Sequence, residues 1–96
     1  MPALQFLVIS RRLTEQFSEA DFERIVPLEG ARARELYSAG FTRQIWHRDD
    51  QPGACQIVEA DNIEGVRENL ATLPLADAGM IEFDIIPLKP YAGFNP

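Results

Sequence analysis

One cysteine, one histidine, one tryptophan and one lysine in 96 residues exclude several kinds of chemistry at once. With Cys55 alone, no disulfide can form within the chain. Neither a cysteine-rich zinc site nor a cluster of histidine ligands can be assembled from one copy. There is no glycine-rich phosphate loop and no basic stripe, and the net charge of -6 disfavours both nucleic acid and anionic membranes as partners. Apolar runs are too short to cross a bilayer. The opening MPALQFLVISRR carries its arginines after the apolar run, the reverse of a secretory signal. The expectation is a soluble cytoplasmic protein, and a lone cysteine is compatible with that compartment. Linkers, repeats and low-complexity segments are absent, so residues 1–96 read as a single domain. A domain this small buries a modest core, which makes oligomerisation a reasonable expectation. Eight arginines still leave room for a local cationic pocket.

Periodicity supplies the elements. Ala3 to Ile9 is a short apolar run that reads as a strand buried on both faces. Ser18 followed by Glu19, Ala20 and Asp21 predicts a helix N-terminus, with Asp21 a short stand-in for the usual Glu of a capping box. That helix should bury Phe22, Ile25 and Val26 and be kinked or restarted by Pro27. A second part, with Ala33, Leu36 and Tyr37 inward, stops at Gly40. Phe41 to Arg48 alternates as a strand, with Thr42, Gln44, Trp46 and Arg48 on one face and Ile45 and His47 on the other. Asp49 to Gly53 reverses the chain into a strand over Ala54 to Ala60. Asp61 or Asn62 caps a second helix through Ile63, Val66 and Leu70, and Leu73-Pro74-Leu75 stops it. Met80 to Leu88 is the last strand, with Glu82 and Asp84 on one side and Ile81, Phe83 and Ile85 on the other.

Strand, helix, strand, strand, helix, strand predicts an α+β, ferredoxin-like βαββαβ sandwich, with both helices on one face of a four-stranded antiparallel sheet. Trp46, Gln56 and the apolar first strand suggest that part of the opposite face is covered. A second copy would do this in a dimeric α+β barrel arrangement, leaving a cleft between sheets.

Ile45-Trp46, Leu73-Pro74-Leu75 and Leu88-Lys89-Pro90, with Glu29, Gly40, Asp61 and Glu82 at comparable spacings, resemble the muconolactone isomerase family from about Ile25 to Leu88. The resemblance implies a cofactor-free shift of a carbon–carbon double bond in a small carboxylated lactone, during breakdown of aromatic compounds. It also implies dimers, gathered five to a ring in the best-known members. Two departures stand out. The family's first strand carries polar His and Arg side chains where this chain has Phe6 to Ile9, and the family's Arg after the Trp is here His47.

Such chemistry needs a base beside a carbonyl, a donor for the enolate oxygen and a cation for the carboxylate. Glu29 is the candidate base, or else a solvated partner of Arg32. His47 is a candidate proton shuttle, or a surface imidazole on the helix side. Trp46 would stack on an unsaturated substrate or pack across a dimer. Arg48 would clamp a carboxylate, or pair with Asp49, Asp50 or Asp84. Glu82 and Asp84 share a strand face and suit substrate binding and acid–base work respectively; two carboxylates without a third ligand do not make a metal site. Tyr37 reads as helix packing and Cys55 as a small core residue. Two functions follow: a small-molecule isomerase, or a non-catalytic oligomeric binding or accessory protein on the same scaffold. The cleft between sheets would separate them: an open pocket there where a carboxylate and an arginine converge favours the first, and a cleft filled by Phe6, Trp46 and Ile86 favours the second.

Overall fold

The structure, a computed structural model, describes residues 3–94. Its elements are β1 (Leu4–Arg12), α1 (Glu19–Ser38), β2 (Thr42–His47), β3 (Ala54–Ala60), α2 (Ile63–Ala71), α3 (Pro74–Asp77) and β4 (Ile81–Pro87). The strands form one sheet in the order β2-β3-β1-β4, every pairing antiparallel. This is the predicted ferredoxin-like topology. No helix among the described residues is long and apolar enough to cross a membrane.

Phe6 and Val8 of β1 and Val58 of β3 point to the helices, where they pack with Leu36, Phe41, Val66, Leu70 and Leu73. Phe22, Leu75 and Met80 form a second cluster joining α1 to α3. On the other face lie Leu7, Ile9, Cys55, Ile57 and Ile86, with Trp46 53% exposed at the edge. β1 is thus fully buried on one face only.

The capping box of α1 is complete despite its short acid. Asp21 N–H donates to Ser18 Oγ at 3.2 Å, and Ser18 N–H donates to Asp21 Oδ2 at 2.8 Å. Pro27 sits inside α1, and the helix runs through it as one element of 20 residues rather than two. Gly40 ends it with φ 84°, a conformation that costs glycine little. Tyr37 is 63% exposed, a correction to its inward placement. Leu36 takes the inward position, and the next residue on a helix lies about 100° around the axis.

Two further corrections concern the sheet. The β2–β3 register shifts between Thr42 and Gln44, a bulge that adds a residue to β2 and interrupts strict alternation. Thr42 therefore shares the helix side with Ile45 and His47, while Gln44 and Trp46 face away. Gln56 also lies on the helix side, in step with buried Val58. Finally, Leu73-Pro74-Leu75 does more than stop α2. Pro74 opens α3 in the first turn, where its missing N–H would have had no partner within the helix.

Candidate functional site

A cavity of about 370 Å³ lies between α1 and the sheet, within the size range of small-molecule sites. Small residues are prominent in its lining: Gly30 and Ala33 of α1, and Gly53 and Ala54 at the hairpin. Its walls are mostly apolar, with Val26, Ile45, Leu75, Ile81 and Phe83 among them. The polar groups are few: Ser10, Arg12, Glu29, Thr42, His47 and Gln56.

Glu29 is half-buried on the inner face of α1. Its Oε1 accepts a hydrogen bond from Leu75 N–H at 2.9 Å. Leu73, the N-cap of α3, makes no side-chain bond there, so Glu29 supplies from α1 a cap that the local sequence lacks. Burial pushes the Glu29 carboxyl above its ordinary value of 4.5. The Leu75 N–H bond and the charge of Arg12 pull the other way without cancelling it. The alternative pairing with Arg32 does not form, because Arg32 donates to Thr72 Oγ1 at 3.0 Å and to Glu35 at 3.4 Å.

Arg12, at the end of β1, is the only Arg or Lys lining the cavity. Its guanidinium lies 5.5 Å from the centre of the Phe22 ring. It forms no ion pair among the described residues, so its charge is available to an anionic ligand. The Ser10 hydroxyl is occupied with the hairpin, accepting from Ala54 N–H at 3.0 Å and donating to Ala54 C=O at 3.4 Å.

The six residues singled out from the sequence do not gather in one cleft between sheets. Glu29 and His47 line the cavity on the helix side. Trp46 reaches the lining from the β2 edge, while its place in the strand assigns it to the open face. Glu82 and Asp84 lie on that open face, opposite Arg11 and Ile9, and Arg11 Nε donates to Glu82 at 2.8 Å. The sheet itself separates them from Glu29, since α1 packs on the other side. Arg48 is outside the cavity and paired: its Nε and Nη2 donate to Asp50 at 2.9 and 2.7 Å, and Nη1 to Ser10 C=O at 3.4 Å. Cys55 is half-buried on the open face, not in the core.

Sequence reasoning missed Arg12, Thr42 and Gln56. A period-2 reading of β1 beyond Ile9 places Arg12 on the face of Val8 and Ser10. The same reading of β3 places Gln56 with Val58. Thr42 had no such signal, because the bulge moves it to the other face.

No curated protein matches the chain significantly. The family model described as muconolactone delta-isomerase matches residues 4–93, from the start of β1 to beyond β4 and including every residue that lines the cavity, and the chain belongs to that family.

Proposed function

We propose that the protein is a cofactor-independent isomerase that moves a double bond in a small unsaturated carboxylate or lactone, with Glu29 as the proton carrier. The observation supporting this is the meeting of a half-buried carboxylate with raised proton affinity and an unpaired guanidinium in one apolar cavity. That convergence favours catalysis over a purely accessory role.

In this mechanism Arg12 holds the substrate's carboxylate and sets the ring against α1. The Glu29 carboxylate takes a proton from the ring carbon at the far end of the conjugated C=C–C=O unit. The C–H electrons form a new double bond, the existing one shifts toward the carbonyl, and the carbonyl π pair moves onto oxygen to give an extended enolate. Glu29, now protonated, returns the proton at the carbon beside the carbonyl. The double bond has moved, and no oxidant or second substrate is consumed. His47 lies close enough to exchange protons between the cavity and water.

The reading extends to context. Family membership suits a step in the breakdown of aromatic compounds, and a free cysteine suits the cytoplasm. The open face, with Leu7, Ile9, Ile57 and Ile86, suits burial against a second copy, as a homodimer or a ring of such dimers.

Muconolactone in deuterated water tests the chemistry. Wild type should incorporate deuterium, and Glu29→Gln should slow exchange about a hundred- to ten-thousand-fold while folding normally. Equal exchange in both proteins would remove Glu29 from the mechanism. Arg12→Met should chiefly raise KM, since it removes a charge that binds ground state and transition state alike.

A further inference from the structure

Gln56 is 5% exposed, and its side chain lines the cavity. Thr42, equally buried, donates from Oγ1 to Gln56 Oε1 at 3.1 Å. An amide held by its oxygen turns its nitrogen away from that contact. Nε2 has no hydrogen-bond partner among the described residues. Yet no fully enclosed side-chain nitrogen or oxygen among them is left unpartnered. Nε2 therefore borders open volume, and the open volume beside Gln56 is the cavity.

A buried amide with unused N–H groups is costly unless something accepts from them. Three of the other polar side chains have different commitments, and the isomerase reading already uses Glu29 and His47 to move protons. Ser10 is occupied with Ala54, Thr42 with Gln56, and Arg12 carries a full charge suited to a carboxylate. Resting on the isomerase reading, we propose that Gln56 is a catalytic residue whose Nε2–H stabilises the substrate's carbonyl oxygen as that oxygen becomes negative, with Thr42 as the positioning residue.

The step balances without proton transfer from the amide. The C–H bond breaks toward Glu29, its electrons form a new carbon–carbon double bond, the existing one shifts toward the carbonyl, and the carbonyl π pair becomes a lone pair on oxygen. Nε2–H tightens its hydrogen bond to that oxygen and keeps its proton. A donor already fixed by Thr42 needs no reorganisation at that moment, which is where such groups gain their effect.

Tetronate, the anionic enol of a five-membered lactone, is the probe for the charged oxygen, and neutral γ-butyrolactone is its comparator. Gln56→Met, close in shape but without donors, should bind tetronate about ten- to a hundredfold more weakly. It should lose far less for γ-butyrolactone. On muconolactone it should lower kcat about a hundred- to a thousandfold with KM little changed. Thr42→Val should lower kcat less, and Thr42→Ser should restore it. Undiminished tetronate affinity in folded Gln56→Met would overturn the proposal, as would equal losses for both probes, which indicate packing alone. If the variant fails to fold, the side-chain amide signal of Gln56 in nitrogen-15-labelled wild type decides. That signal should shift on saturation with tetronate, and an unmoved signal overturns the proposal. Loss of tetronate affinity in Gln56→Met alongside undiminished deuterium exchange in Glu29→Gln would uphold the donor and reject the base. Failure of wild type to bind tetronate would reject the donor, while the deuterium test of Glu29 decides the base on its own.

Discussion

Glu29 is held by two opposing influences. Burial favours its acid form, and the Leu75 N–H together with Arg12 favours its carboxylate. Burial prevails, so the folded chain binds this proton more tightly than the unfolded chain does. The stability from this group is therefore complete below the ordinary value of 4.5 and is lost as pH rises through the higher folded value. Glu29→Gln keeps an oxygen that can accept from Leu75 and removes the titration. Urea midpoints compared from acid to neutral pH should show the variant gaining on wild type above 4.5, and parallel curves would contradict the assigned direction. The same group predicts that kcat/KM rises on its acid limb with an inflection above 4.5. Arg48 offers a contrast. It is bonded to Asp50 and lies outside the cavity, so Arg48→Met should leave KM for muconolactone unchanged.

Elements whose cause is local were legible from the chain. Ser18, Gly40 and the reversal at Asp49 to Gly53 each act within a few residues, and each marks an observed boundary. Ser18→Ala should cost about 0.5 to 2 kcal/mol in chemical denaturation, because it removes the Oγ cap and leaves the Asp21 N–H only the Ser18 C=O. The alternation of β4 was equally legible, since no bulge interrupts it. What escaped detection depends on contacts distant in sequence. Glu29 caps a helix 46 residues away, and no periodicity encodes that. The bulge in β2 reversed the face of Thr42, and with it the reading of the strand's first half. Placing the site between sheets followed from treating the acids of β4 as the chemical face, when a helix carboxylate can only serve the side its helix covers. Gly53 marks another non-local constraint. Its φ is 153°, and a Cβ there would clash with the Ser10 carbonyl oxygen. Gly53→Ala should displace the hairpin from β1, detectable as loss of amide protection at Ala54 and Arg12.

At the scale of the molecule, one sheet presents two unlike surfaces. If a second copy covers the open face, sedimentation equilibrium at low micromolar concentration should show no monomer, and a clean monomer would refute the dimer. Trp46→Ala should then weaken assembly and stability more than His47→Ala, because neighbouring strand residues face opposite ways. A large aromatic lost from a buried interface costs about 3 to 5 kcal/mol; equal midpoints would show that Trp46 is uncovered. The bond between Ser10 and Ala54, with the close fit of Gly53 beneath Ser10, has a consequence beyond holding a hairpin. In a strand, sliding by one residue exchanges the two faces entirely. Such a slip of β1 would send Leu7, Ile9 and Arg11 to the helix side and turn Arg12 and Ser10 outward. The hairpin contact thus works as an alignment key, keeping the cavity and the apolar open face on separate sides of the sheet, where each can change without disturbing the other.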